Sequence, residues 1–155
     1  MTLPIHSIFS GALVLVAMSA SAAPPLHIEA IQARLYFNHT GTFSDPLSAK
    51  DVLRNVIIGT PDFPSPSSST LVDVLLRGDS GDFRPGRVVT LTVTASSSHK
   101  VIATLKQDVG VLGADGQYHA AFWLPGTGCT SLHLDASLAD TREHVDAEIP
   151  FQCAE

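Results

Sequence analysis

Hydrophobic and polar residues alternate along most of this chain, and the alternation has the period of a β-strand rather than of a helix. From Ile31 the apolar positions are Ile31, Ala33, Leu35 and Phe37, with Gln32, Arg34, Tyr36 and Asn38 between them. The same rhythm returns in residues 70–77, where Val72, Val74 and Leu76 are the apolar set, and again where Val89, Leu91 and Val93 alternate with Thr90, Thr92 and Thr94. Residues 100–107 and 118–124 supply two more segments. Leu132, Leu134, Ala136 and Leu138 mark a sixth, and Val145, Ala147, Ile149 and Phe151 a seventh. Side chains of a strand point alternately to opposite faces, so each segment predicts one buried side and one wet side. Turn chemistry separates the segments: the polar stretch 78–86, Asp115-Gly116 and Pro125-Gly126. Seven short strands without α/β alternation predict an all-β fold, a single Ig- or fibronectin-III-like two-sheet antiparallel sandwich. An antibody-type domain is excluded, because Trp123 precedes both cysteines and the residue two before Cys153 is Phe151, not Tyr.

One stretch breaks the rhythm. Residues 40–70 form an insertion between the first two strands. Within it, Ser48-Ala49-Lys50-Asp51 resembles a capping box closed by Asp instead of Glu, and Leu53, Val56 and Ile57 then form one apolar stripe. Gly59 and Pro61 end the pattern, so a short helix of about ten residues is expected there. Behind it, residues 61–70 are rich in Pro and Ser and read as extended low-complexity chain. Phe43 and Phe63 lie in this insertion; each is either a plug for the core or an exposed aromatic for an interaction.

Length and charge narrow the class. A chain of 155 residues suits one domain, and its leader shortens it further. Residues 8–18 are an apolar run of signal-peptide length followed by small residues, although residues 1–7 contain no Lys or Arg. Ala20-Ser21-Ala22 fits the small-x-small rule, which divides the chain into a signal peptide, 1–22, and one domain, 23–155. The competing reading is a buried N-terminal helix. Export to the periplasm or the exterior follows from the first reading, with no integral membrane segment after cleavage. With nine Lys and Arg in total and a net charge of -6, the chain is a poor match for nucleic acid.

Export also gives meaning to Cys129 and Cys153. In an oxidising compartment the pair is expected to form a disulfide, with two buried thiols as the alternative. The bridge would clip the open ends of the last hairpin, closing a loop of about 25 residues and contributing about 3 kcal/mol. In that hairpin, inward residues are even-numbered in one strand and odd in the other, so facing residues must sum to an odd number such as 281 or 283. The cysteines sum to 282, and an irregular residue near Gly128 would have to shift the register.

The same hairpin concentrates the charge. Five of the six net negative charges come from residues 135–155. His133, Asp135, His144, Asp146 and Glu148 all fall on its outward face, and in either register Asp135 faces another carboxylate. These five are the candidate ligands for a divalent cation, although no spacing among them is diagnostic; a solvated acidic face is the plainer reading. Gly78-Asp79-Ser80-Gly81 imitates the nucleophile segment of trypsin-like proteases, but no Ala-Ala-His-Cys segment precedes it and the chain is too short for two barrels. It is read as a polar turn. Arg77-Gly78-Asp79 spells an integrin-type tripeptide, which would need to stand on an exposed turn.

The stretch from Gly113 through Ala120-Ala121-Phe122-Trp123-Leu124 to Ile149-Pro150-Phe151-Gln152-Cys153-Ala154-Glu155 resembles small exported bacterial Ig-like domains. That resemblance implies a sandwich and brings no catalytic residues with it. The expected function is a non-catalytic structural or protein-interaction module without a cofactor, its partner another envelope or secreted protein. The alternative is a ligand- or divalent-metal-binding module that uses the acidic hairpin.

Overall fold

The computed structural model describes residues 25–47, 53–55, 67–83, 85–127 and 131–153. Ten strands run through them: β1 (His27–Phe37), β2 (Thr42–Phe43), β3 (Leu53–Asn55), β4 (Ser67–Arg77), β5 (Val88–Ala95), β6 (Lys100–Asp108), β7 (Gln117–Pro125), β8 (Leu132–Leu138), β9 (His144–Ile149) and β10 (Phe151–Cys153). One antiparallel sheet has the order β2-β1-β4-β7 and a second the order β6-β5-β8-β9, while β10 and β3 pair as a small ribbon. The fold is all-β, and the described residues include no helix.

Alternation builds the core. Val72, Val74 and Leu76 of β4, Val89, Leu91 and Val93 of β5, and Leu132, Leu134 and Ala136 of β8 are fully buried. These residues, with Ala120, Phe122 and Leu124 of β7, belong to a single cluster drawn from both four-stranded sheets, the packing of a sandwich. Each fully buried Leu or Val contributes about 1.5–3 kcal/mol through the surface it removes from water. β4, β5 and β8, each flanked on both sides, bury these inner residues completely. Strands at the sheet edges, β6 and β9, leave Ala103, Leu105, Val145 and Ala147 only partly covered. One polar pair enters this interior: the hydroxyls of Thr70 and Thr127 meet at 2.7 Å, both residues buried.

The expected helix is corrected over the residues that can be placed. Leu53–Asn55 is a strand, β3, paired in parallel with β10 through Leu53↔Phe151, Arg54↔Gln152 and Asn55↔Cys153. Two physical causes favour this. Val52, Val56, Ile57 and Ile58 around it are β-branched and lose side-chain freedom in a helix. A pairing strand from the far end of the chain supplies the main-chain hydrogen bonds that a short, weakly capped helix would have to make alone. The remainder of the expected helix, the signal peptide, Phe63 and Cys129 lie outside the described residues, so the Cys129–Cys153 bridge has one end outside them as well. The seventh expected strand is also divided: β9 ends before Pro150, which has no N–H for a ladder, and Phe151 begins β10.

Two loops at one end of the sandwich hold each other. The Gly78 N–H donates to the Gly116 carbonyl at 2.9 Å, and the Leu112 N–H donates to the Asp82 carbonyl at 3.0 Å. Val109 and Leu112 are buried beneath this junction. Gly116 sits at φ +74, where a Cβ atom would stand 2.4 Å from the Gly78 carbonyl oxygen.

Candidate interaction surface

Of the two outer sheet faces, the one made by β2, β1, β4 and β7 carries the aromatic residues. Strand pairing sets its map: Phe43 of β2 lies opposite Tyr36 of β1, Tyr36 opposite Ser69 of β4, and Ser69 opposite Pro125 of β7. The next row is Arg34, Leu71 and Trp123. Tyr36 reaches diagonally to Trp123, with ring centroids 5.2 Å apart and planes at 68°, and meets Phe43 at 5.1 Å. Phe43 and Trp123 complete the triangle at 6.3 Å, edge to face. Such geometry matches the charge distribution of aromatic rings, whose edges are positive and faces negative. Ser69 is 8% exposed in this neighbourhood, whereas Phe43 is 46% and Trp123 44% exposed. Phe43 is therefore the exposed aromatic of the two readings, not a core plug.

Arg34 stands beside this cluster, exposed and with no ion pair among the described residues. The other charges of the face are paired. Arg77 Nε bonds Glu29 Oε2 at 2.7 Å, and that hydrogen bond raises the Arg77 pKa above its ordinary value. His119 Nδ1 meets Asp73 Oδ2 at 2.7 Å, while Asp73 Oδ1 is buried without a hydrogen-bond partner among the described residues. The aromatic triangle was out of reach of sequence reasoning, because Tyr36, Phe43 and Trp123 sit on three strands whose order had to be known first. The usable signal was the place of Tyr36 and Trp123 at polar positions of the alternation.

The opposite outer face carries the acidic hairpin. Its register sums to 281, with Leu132↔Ile149, His133↔Glu148 and Asp135↔Asp146. His133 Nδ1 meets Glu148 Oε1 at 2.8 Å, and His144 Nδ1 meets Asp135 Oδ1 at 3.4 Å. Ser96 Oγ also donates to Glu148, at 3.0 Å. The five candidate ligands thus share one face, and four of them form two His–carboxylate pairs, leaving Asp146 outside either pair. Among the described residues no three His, Cys, Asp or Glu side chains converge closely enough to hold a metal ion. Two carboxylates remain directly opposite, so Asp146→Asn is expected to raise stability by about 0.5 kcal/mol. A urea midpoint that rises with an unchanged slope checks this; an unmoved midpoint would mean that neighbouring groups already relieve the repulsion.

The Arg-Gly-Asp tripeptide does not stand on a free turn. Arg77 is the last residue of β4 and is ion-paired, and a Cβ at Gly78 would lie 3.0 Å from the Leu112 side chain. Gly78–Gly81 is part of the paired loops at the end of the sandwich. No helix among the described residues is long and apolar enough to cross a membrane. Set beside models of known protein families and beside curated proteins, the chain matches none of them.

Proposed function

We propose that the chain is an exported, non-catalytic interaction module of the Ig or fibronectin-III class that engages another envelope or secreted protein through the aromatic face. The class reading is supported by the order of the strands: β1, β4 and β7 share one sheet, while β6, β5, β8 and β9 form the other, so that the chain crosses between sheets after β4, β6 and β7. The export reading rests on the leader pattern in residues 1–22. The observation that carries the interaction reading is the half-exposed triangle of Tyr36, Phe43 and Trp123 beside an unpaired Arg34. Trp, Tyr and Arg dominate the energetics of protein interfaces, because they combine large apolar contact area with a polar or charged end.

The test is crosslinking in the native envelope, comparing wild type with the double variant Arg34→Ala/Phe43→Ala, which alters two exposed side chains and leaves the core intact. A specific neighbour captured by wild type should fall at least about tenfold in the variant, as expected when two interface anchors are removed. Equal capture by both proteins, or no specific neighbour for wild type, overturns the reading.

A further inference from the structure

We propose that the free edge of β7 is a self-association surface, on which a second copy of this chain pairs antiparallel about Ala121 to make one continuous sheet across the dimer. This inference stands on main-chain geometry and does not depend on the aromatic face binding another protein.

The starting point is how the chain treats its sheet edges. An unpaired edge strand offers a row of N–H and C=O groups to any other strand, and soluble proteins guard against this with charges, bulges, very short strands or covering segments. Beyond β1 the sheet ends in the two-residue β2, and the Ser44 and Leu47 N–H groups continue along β1 by donating to the Leu35 and Ala33 carbonyls. The β6 edge carries Lys100, Lys106 and Asp108, and its pairing with β5 has a register shift between Val93 and Thr94. The β9 edge carries His144, Asp146 and Glu148. Among the described residues the β7 edge has none of these devices, and only Pro125 at its end interrupts the row of N–H groups. Its nine residues contain no Lys, Arg, Asp or Glu, and it pairs with β4 from Ser69↔Pro125 to Arg77↔Gln117 without a shift.

Which groups are free follows from the ladder. Gly78 and Gly116 are a hydrogen-bonded pair, so even-numbered residues of β7 bond to β4 and odd-numbered ones point away from it. Gln117 confirms the parity. Its N–H donates to Asp115 Oδ1 at 3.1 Å and its carbonyl accepts from the Gly113 N–H at 2.8 Å, both on the side away from β4. Pro125 has no N–H to offer. His119, Ala121 and Trp123 therefore hold the outward N–H and C=O groups that lack a partner among the described residues.

These three residues are complementary to themselves. Centred on Ala121, a second β7 places Ala121 against Ala121, His119 against the partner's Trp123, and Trp123 against the partner's His119. Every outward group then has a partner. Moving the centre by one residue toward the N-terminus uses Gln117, whose groups are taken by its own turn. Moving it toward the C-terminus uses Pro125, which cannot donate. The small Ala121 side chains meet at the two-fold axis, and no like charges face each other. Charge also selects the partner. An edge strand without formal charge fits another such strand, whereas pairing with β6 or β9 would bury Lys, Asp or Glu against an uncharged neighbour.

Sedimentation equilibrium of the purified protein tests this. The wild-type mass should rise toward that of two chains between about 5 and about 500 µM, as mass action requires of a reversible dimer. Ala121→Lys sets two ammonium groups together on the axis while changing only an exposed side chain, so it should stay at the mass of one chain with an unaltered thermal melt. Thr104→Lys on β6 should behave as wild type. Hydrogen exchange needs no variant: the amides of His119, Ala121 and Trp123 should exchange at least about tenfold more slowly at the high concentration than at the low one. A wild-type mass of one chain throughout, which would leave the edge to a strand of another protein, overturns the proposal. So does a dimer that survives Ala121→Lys, or protection that ignores concentration.

Discussion

Replacing Gly116 by alanine is expected to lower the stability of the fold by about 3 kcal/mol, because two independent penalties act at one atom. The first is conformational. Gly116 has φ +74, a region that a side-chain-bearing residue occupies at a cost of about 1–2 kcal/mol. The second is steric. The added Cβ would approach the Gly78 carbonyl oxygen to 2.4 Å, and that carbonyl belongs to the backbone, which cannot swing aside as a flexible side chain can. Relief would require the loop after β4 to withdraw from the start of β7, breaking the Gly78 N–H bond to the Gly116 carbonyl. Gly81→Ala is the control. Gly81 has φ +71 but nothing within 4 Å of the position a Cβ would take, so it should show the conformational penalty of about 1 kcal/mol alone. Thermal unfolding followed by circular dichroism separates the two. At this chain size a loss of 3 kcal/mol lowers Tm by about 10 °C. Equal Tm values for the two variants would show that close approach at Gly116 carries no cost.

Gly116 was visible in the sequence only as half of an Asp-Gly turn signal, and the way it was visible explains how much of the fold could be read. Three central segments became strands with the expected inner face: Val72, Val74 and Leu76; Val89, Leu91 and Val93; Leu132 to Leu138. The hairpin register 281 is one of the odd sums that parity allows. Trouble came wherever the two-residue period changes phase. Entering and along β1 the buried residues are Leu26, just before the strand, and Ile28 on even numbers, then Ala33, Leu35 and Phe37 on odd numbers, with a register shift between Ile28 and Ala30. A bulge inserts one residue and flips every position before it, so the early part of β1 looked patternless. The Arg77-Gly78-Asp79 tripeptide failed for a different reason. Local polarity suggested a free turn, whereas the turn is held by Gly116, a residue distant in sequence.

The helix expected in residues 40–70 shows the limit of local signals. A three-residue apolar stripe is weak evidence, and it competed with β-branched neighbours and with a strand, β10, that is almost a hundred residues away. Long-range pairing of that kind leaves no trace in a window of ten residues. The aromatic face is the same problem in two dimensions. Tyr36 and Trp123 stood at outward positions of their own segments and Phe43 in the insertion, and only the sheet order brings their rings to within about 5–6 Å of one another. The β7 edge repeats it once more, since its lack of charge means something only when the strand is known to lie at the end of a sheet.

The buried hydroxyl pair gives the second large effect, and its signature is non-additivity. Thr70 is completely buried and Thr127 nearly so, and their Oγ1 atoms are 2.7 Å apart. Thr127 also donates to the Leu124 carbonyl at 3.4 Å, whereas among the described residues the Thr70 hydroxyl has only Thr127. Valine matches threonine in shape and removes the hydroxyl. Thr127→Val should therefore cost about 2 kcal/mol, because the Thr70 hydroxyl is left in the core with nothing to bond. Thr70→Val should cost less, about 1 kcal/mol, since Thr127 keeps its carbonyl acceptor. The double variant removes donor and acceptor together and replaces them with apolar methyl groups in a site already lined by apolar neighbours. It should return to within about 0.5 kcal/mol of wild type. Urea unfolding of all four proteins closes the cycle, and a coupling energy of about 2.5 kcal/mol is the expected result. Simple additivity of the two single variants would show that the hydroxyls do not depend on one another. In that case the stability of this part of the sandwich comes from the shape of the two residues and not from their hydrogen bond.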